Sequence, residues 1–186
     1  MTGQVYDQCE HEGVTYMILG DVGEGLPTPA LFNIVPVDLL NWFHRGYIMY
    51  YAIVDNQLLL DKMVVTTRTV PQEINGIVPE VDEDEYTYTG LNYPVRFTGF
   101  FNLGKDLIWE LRTPMGFQPA WTYNTVLKIT FESGIVTDIF DRSAEIARQR
   151  EQEIELKKSK DTAKRTAKKP AKKAAKKAVK RAAKKK

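Results

Sequence analysis

The chain has 186 residues, 26 of them Lys or Arg and 24 Asp or Glu, so its formal net charge is only +2. That average conceals two regions of opposite charge. Residues 157–186 hold sixteen Lys or Arg and one acid, a formal +15, whereas residues 1–156 hold ten Lys or Arg and twenty-three acids, a formal −13. One cysteine excludes an internal disulfide, and no apolar run approaches the ~20 residues of a membrane-spanning helix.

The first part of the acidic body predicts a strand, a loop and a short helix. Residues 14–19 are largely apolar and β-branched, which favours a strand, and residues 20–30 contain the Gly and Pro residues of a loop. Pro36 at a first helical position, Asp38 in the first turn and Gly46 at the end predict a short helix near 37–44.

A series of hairpins follows. The clearest joins the apolar segments 47–54 and 57–67 through the turn pair Asp55-Asn56. Residues 70–89 read as a long connection. A second hairpin is predicted over 95–112 with its turn at Gly104-Lys105-Asp106, and a third over 125–140 with its turn at residues 132–134. Strands joined by tight turns indicate an antiparallel sheet.

The predicted fold class is therefore α+β. We expect a mainly antiparallel sheet of six to eight strands, a short internal helix, a C-terminal helix and a disordered basic tail. Residues 1–141 form the acidic β-rich domain in this interpretation. Residues 142–158 lack Gly and Pro and are rich in helix formers, so they predict a charged helix, and residues 159–186 form the tail.

The tail is built from pairs of bases separated by pairs of small residues, with a period of four. Lysine is a compact charge without the bidentate fork that reads guanine, and no aromatic residue is present to stack on bases. Both features predict contact with phosphate and no readout of sequence. The predicted nucleic-acid-binding residues are Lys164, Arg165, Lys168, Lys169, Lys172, Lys173, Lys176, Lys177, Lys180, Arg181, Lys184, Lys185 and Lys186.

Residues 166–186 resemble the Lys/Ala/Pro-rich C-terminal tails of linker histones and of bacterial histone-like nucleoid proteins. The resemblance implies nonspecific nucleic-acid binding, to DNA or RNA, and a cytoplasmic, nucleoid-associated location. The polar, acidic start of the chain also lacks the pattern of a secretory signal. The alternatives for the tail are a solubility or localisation element, a counter-charge for the acidic body, or contact with an anionic membrane surface without insertion.

Residues 45–136 of the body resemble a group of small uncharacterised bacterial β-proteins that share a D-N-x-L-x-L hairpin and an F-x-x-G-x-x-x-x-G hairpin. That resemblance implies no activity. The glycines Gly20, Gly23 and Gly25 have the dinucleotide-binding spacing in reversed order, so a flexible loop is the simpler interpretation than a phosphate cradle.

The body offers few ligands for a metal. Cys9 and His11 are close in sequence, but the spacing does not demand the four ligands of a closed zinc site. The acidic run Asp82–Glu85 is not a calcium loop, because the positions that require Gly and Glu hold Thr87 and Tyr93. We therefore predict no metal and no cofactor. A solvated loop that could receive a basic partner or the tail explains the acidic run.

The sequence predicts a nonenzymatic interaction protein that contacts nucleic acid through its tail and carries an acidic binding module. The alternative is a protein-binding or immunity-type module in which the tail provides solubility or localisation. A third alternative is an enzyme, which would need a deep pocket around His44 and Arg45. No nucleophile motif stands beside this pair, so no catalytic residue is predicted.

Overall fold

A computed structural model describes residues 4–38 and 44–156, and within these residues the chain forms nine strands, three short 3₁₀ turns and one α-helix. The strands are β1 (Gln8–His11), β2 (Val14–Glu24), β3 (Tyr47–Val54), β4 (Gln57–Thr66), β5 (Glu80–Asp82), β6 (Glu85–Pro94), β7 (Thr98–Leu107), β8 (Tyr123–Glu132) and β9 (Ile135–Asp141). The 3₁₀ turns span Pro29–Phe32, Trp109–Leu111 and Ala120–Thr122, and helix α1 covers residues 143–156.

All nine strands belong to one sheet with the order β3-β1-β2-β7-β8-β9-β4-β6-β5, and β3 also pairs with β4. This additional pairing closes seven strands into a ring, from which β6 and β5 extend. Among the described strands only β1 and β3 pair in parallel. The prediction of a mainly antiparallel β-sheet is confirmed, although nine strands exceed the expected six to eight.

Three hairpins turn through two residues with positive φ. These pairs are Asp55-Asn56 (φ 48° and 63°), Ser133-Gly134 (51° and 86°) and Glu12-Gly13 (51° and 72°). Two successive positive φ values match the right-handed twist of the flanking strands. The predicted hairpins at Asp55-Asn56 and at residues 132–134 are therefore confirmed, and the Glu12-Gly13 hairpin, which joins β1 to β2, was not predicted.

The predicted turn at Gly104-Lys105-Asp106 is wrong. Strand β7 continues through these residues and pairs with β8 from Gly99 to Leu107, although Asp106, with φ 60°, is left out of the register. A Cβ atom on Gly104 would lie 2.6 Å from Leu19 Cδ1, so this glycine makes room for a side chain on the neighbouring strand. The predicted strand over 107–112 is replaced by the 3₁₀ turn Trp109–Leu111.

Two segments that the sequence assigned to loops contain strands. Strand β2 continues to Glu24, across the glycines of the predicted loop, because Gly23 pairs with Gly99 of β7. The predicted connection 70–89 contains β5 and the first half of β6, which pair as a hairpin that encloses Glu83 and Asp84. In both places turn-forming residues lie inside a sheet, where their neighbours on adjacent strands determine the backbone.

The short internal helix predicted near 37–44 is not found among the described residues. Val37 and Asp38 are not helical and His44 lies in a turn, while residues 39–43 lie outside the described residues. The backbone N–H of Val37 instead donates to the carbonyl of Thr66 at the end of β4. The helical turn before this segment is the 3₁₀ turn Pro29–Phe32, which ends at Asn33 with φ 57°.

The largest described core cluster is centred on three buried aromatic rings. The ring centroids of Phe97 and Phe101 are 5.0 Å apart, and the Phe131 ring lies 5.1 Å from that of Phe101. Tyr51 of β3 reaches the same group, with its ring 5.8 Å from Phe101. Aromatic pairs at these separations add to the stabilisation by burial, so strands from distant parts of the sequence share one core.

A second, smaller cluster combines Tyr123, Val126 and Ile146. Ile146 lies in the first turn of α1, and the carboxylate of Asp141 accepts the backbone N–H of Ser143 at 2.7 Å where the helix begins. This helix confirms the predicted C-terminal helix as far as residue 156. The fold divides into two units, Met1–Ile146 and Ala147–Lys186.

No helix among the described residues is long and apolar enough to span a membrane.

Candidate nucleic-acid interface and polar sites of the body

The thirteen predicted nucleic-acid-binding residues lie outside the described residues. All of them fall within residues 157–186: Lys164, Arg165, Lys168, Lys169, Lys172, Lys173, Lys176, Lys177, Lys180, Arg181, Lys184, Lys185 and Lys186. The assignment of these residues stays a prediction that rests on charge and composition. The described residues show which charged and polar side chains the acidic body exposes.

The acidic run of the body forms the tip of the β5–β6 hairpin. Glu80, Asp82, Glu83 and Asp84 are exposed, and Glu85 is half-buried. Glu83 adopts a positive φ of 52° in the turn that joins the two strands. Among the described residues, no group of three His, Cys, Asp or Glu side chains could hold a metal ion. This hairpin therefore presents negative charge without converging ligands.

Asp7 and Arg45 form the most enclosed ion pair that the structure describes. Arg45 Nη2 donates to Asp7 Oδ1 at 2.6 Å, and the backbone N–H of Met49 donates to the same oxygen at 2.8 Å. Only 18% of the Asp7 side chain is exposed. Burial alone would lower the pKa of Arg45, but the hydrogen bond and charge of Asp7 outweigh it and raise that pKa. The pair fastens the segment before β1 to the start of β3.

Two further titratable side chains, Tyr51 and His44, lie close to this ion pair. Beside it, burial raises the pKa of Tyr51 well above its usual value, and the negative charge of Asp7 raises it further. Tyr51 therefore stays protonated and does not supply a base near neutral pH. His44, the neighbour of Arg45, is exposed and places Nδ1 3.2 Å from Asp38 Oδ2. The arrangement is suited to holding strands together.

Cys9 does not join His11 in a ligand pair. Its side chain is fully buried in the main core cluster, and burial, with a smaller effect of the Glu10 charge, raises the pKa of the thiol to about 12. A thiol with such a pKa stays protonated near neutral pH, whereas metal binding and nucleophilic attack require the thiolate. Cys9 thus acts as a small apolar residue of the core.

The glycines with reversed dinucleotide spacing do not form a phosphate cradle. Gly23 and Gly99 pair across β2 and β7 with φ 150° and 151°. A Cβ on either glycine would lie 2.8 Å from the Phe97 ring, and one on Gly25 would lie 2.3 Å from the carbonyl oxygen of Arg96. Gly23, Gly25 and Gly99 therefore allow strands and an aromatic ring to approach closely, whereas a Cβ on Gly20 would meet nothing within 4 Å.

A shallow cleft of about 490 Å³ lies beside these glycines. Its walls come from the segment around Leu26 and Leu31 and from the end of β6 around Tyr93, and the only charged residue among its lining is Arg96. Phe32 supports this wall by an edge contact with Tyr93 at 5.4 Å. The cleft is open to solvent, and its lining includes the hydroxyl-bearing residues Thr28 and Tyr93 but no carboxylate, cysteine or histidine.

The described aromatic residues of the body divide between core and surface. Tyr51, Phe97 and Phe101 are buried, but 64% of Trp109 is exposed, and its ring lies 4.1 Å from the guanidinium carbon of Arg112. Trp42 and Phe43 lie outside the described residues.

Sequence reasoning missed the exposure of β9. Every residue of β9 except the half-buried Val136 is exposed, including Ile139 and Phe140. The sequence predicted a strand here, but apolar residues in a strand look the same whether a neighbouring strand covers them or not.

No protein-family model, curated protein or solved structure matches this chain.

Proposed function

We propose that this is a nonenzymatic interaction protein that contacts nucleic acid nonspecifically through residues 157–186, while its acidic β-rich body acts as a binding module. The observation that carries the proposal is the charge partition, a formal +15 in the last thirty residues against −13 in the rest. A polyanion is the natural partner of such a segment, because each neutralised phosphate releases condensed counterions. This function is consistent with a nucleoid-associated location.

The composition of the tail also supports binding without sequence preference. Lysine outnumbers arginine fourteen to two in residues 157–186, and no aromatic residue occurs there. Lysine contacts phosphate as a point charge, whereas sequence readout uses bidentate arginine and stacking on bases uses aromatic rings. The tail therefore favours the backbone of either DNA or RNA.

The experiment is a salt titration of binding by the full chain to duplexes of unrelated sequence. The variant replaces Lys168, Lys169, Lys172, Lys173, Lys176, Lys177, Lys184 and Lys185 by Gln, and the matched control replaces the same eight by Arg. The log–log salt slope should fall by roughly 0.9 for every lysine in contact with phosphate in the Gln variant, and the Arg control should retain it. Unchanged binding by the Gln variant, or a strong preference among duplexes, would contradict the proposal.

The second candidate is a protein-binding module whose acidic body captures a basic partner. The exposed acids Glu80, Asp82, Glu83 and Asp84 of the β5–β6 hairpin favour it. In that case the tail serves solubility or localisation. The Gln variant described above should then still bind the protein partner as the unmodified chain does. Comparing nucleic-acid binding and partner capture in the same variant therefore separates the two candidates.

A further inference from the structure

One edge of the sheet is left open along β9. The ring closes where Ile135 pairs with Gln57, and the backbone N–H of Val136 donates to the carbonyl of Asn56 at 2.8 Å. From Thr137 to Asp141, β9 pairs only with β8, so within the described residues its other side has no strand beside it. Five residues at ~3.3 Å per residue give about 17 Å of edge, the length of an ordinary strand.

The open stretch exposes apolar side chains on both faces of the sheet. Ile139 pairs with the buried Ile129 and so lies on the core face, yet 43% of it is exposed. Phe140 pairs with Lys128 on the opposite face, and 57% of it is exposed. An added strand would cover both side chains at once, because its own residues would alternate between the same two faces.

Other free stretches of the sheet are less suited to pairing. Strand β2 has no partner opposite β7 between Gly20 and Glu24, but Gly23, with φ 150°, interrupts the extended backbone there. At the start of β3, the N–H of Met49 is already satisfied by the Asp7 carboxylate. Strand β9, in contrast, keeps a regular register from Asp138 to Asp141. Strand β5, at the end of the sheet, also has a free side but is only three residues long, and β6 beyond Thr87 is interrupted at Gly90 and Asn92, with φ 73° and 45°. Among these free edges, β9 has the longest regular stretch.

The charges along the open stretch select the occupant. Asp138 and Asp141 flank Ile139 and Phe140, and β9 contains no basic residue. The body as a whole carries a formal −13. A second copy paired through β9 would bring a second Asp138 and Asp141 against the first pair, and like charges across a strand pair destabilise it. Charge complementarity therefore favours a cationic strand.

We propose that β9 binds an extended basic segment of a partner protein as an added strand, with a cation–apolar–apolar–cation sequence opposite Asp138–Asp141. Main-chain hydrogen bonds to the open edge provide affinity, and the pairing of cations with the two aspartates provides selectivity. The inference deepens the binding-module part of the proposed function and rests on it. It does not depend on nucleic-acid binding by the tail.

The test uses the full chain and the peptide acetyl-Thr-Lys-Val-Tyr-Lys-Thr-amide, followed by amide NMR and by calorimetry. The amide resonances of residues 137–141 should shift, and the Ile139 amide should gain protection from hydrogen exchange. Asp138→Lys should weaken binding about tenfold through lost attraction and added repulsion. The matched control Glu73→Lys changes net charge equally at an exposed loop position before β5 and should leave the affinity within about twofold.

Two further peptides examine strand addition itself. A version with alternate backbone nitrogens methylated keeps the charge but cannot pair with a strand, so it should not bind. A version with Glu in place of Lys should not bind either. Equal binding by the methylated peptide, equal losses in the two Lys variants, or unperturbed β9 amides would overturn the proposal. So would sedimentation of a dimer that Asp138→Lys disrupts, since a second copy would then occupy the edge.

Failure of this inference can be told apart from failure of the proposed function. The peptide does not bind the tail, because both are cationic. Tighter peptide binding after the eight Lys→Gln substitutions would show that the chain's own tail competes for the β9 edge, and it would overturn the proposal. The variant with eight Lys→Gln substitutions in the tail should bind the peptide as tightly as the unmodified chain does, whatever those substitutions do to nucleic-acid binding.

Discussion

Asp7 and Arg45 meet through a single carboxylate oxygen, which lies 2.6 Å from Arg45 Nη2 and also accepts the Met49 N–H at 2.8 Å. One side chain therefore joins the segment before β1, the loop before β3 and the β3 backbone. Because β1 and β3 form the only parallel pair among the described strands, this carboxylate stabilises a strand contact that a hairpin turn could not provide. The pair is structural on this geometry.

The substitution Asp7→Ala should lower the free energy of unfolding by about 1–3 kcal/mol, because the Met49 N–H and the Arg45 guanidinium lose their acceptor. Asp7→Asn keeps a neutral acceptor and should cost roughly half as much. Arg45 is nearly half exposed, so water screens its charge and holds the loss within this range. Urea denaturation measures both values.

Asp38→Ala is the control for that series. Asp38 is exposed and contacts His44 at the surface, so its loss should change the free energy of unfolding by less than about 0.5 kcal/mol. A loss for Asp7→Ala no larger than that of Asp38→Ala would show that the enclosed pair contributes nothing.

Substitutions of Gly134 and Gly76 by Ala distinguish the cost of a steric clash from the cost of backbone strain. Both have positive φ, 86° and 81°, but a Cβ on Gly134 would lie 1.9 Å from the Val95 carbonyl oxygen, while one on Gly76 would meet nothing within 4 Å. Gly76→Ala should cost about 1 kcal/mol from strain alone. Gly134→Ala should cost roughly 3 kcal/mol or more, because the backbone of Val95 must also move. Thermal and urea unfolding of both variants measure the difference, and equal losses would contradict the described approach of Gly134 to Val95.

The buried tyrosine predicts a loss of stability in alkali. The pKa of Tyr51 is raised above its ordinary value of 10.0 by burial and then by the charge of Asp7. A raised pKa in the folded state means that the stabilisation is complete below about pH 10 and is lost as the pH rises toward the folded pKa. The unfolded chain ionises first, so the free energy of unfolding should fall by about 1.4 kcal/mol per pH unit for each such tyrosine.

The variant Tyr51→Phe isolates this residue from the other groups that titrate in alkali. Its free energy of unfolding should fall less steeply above pH 10 than that of the unmodified chain, with the two curves parallel below that pH. Curves that stay parallel throughout would show that Tyr51 ionises as readily in the folded state as in the unfolded chain.

Local turn chemistry made part of the fold predictable. Asp55-Asn56 and Ser133-Gly134 each connect two apolar runs, and two successive residues that tolerate positive φ leave few alternatives to a tight hairpin. The same reasoning failed at Gly104, because a glycine that turns the chain and a glycine that admits Leu19 from the next strand are identical in sequence. Contacts between distant strands decide between them.

The candidate binding surface could be predicted only in part. The charge of the tail and the acidity of the body are properties of composition, so the sequence displays both directly. The open edge at Ile139 and Phe140 is a property of topology. It arises because β4 pairs with β9 only at Gln57 and then pairs with β6 instead. The sequence of β9 itself does not indicate where its neighbouring strand ends.

The pairing of Ile135 with Gln57 also sets when the body can be completed during synthesis. Strand β4 is made early and β9 is the last strand of the body, so the ring stays open until the ribosome has released nearly all of it. Contacts of such sequence separation slow folding, since a long loop must close before they form. Chains that stop before β9 would lack the strand that closes the ring and pairs with β8 beside the core residues Ile129 and Phe131.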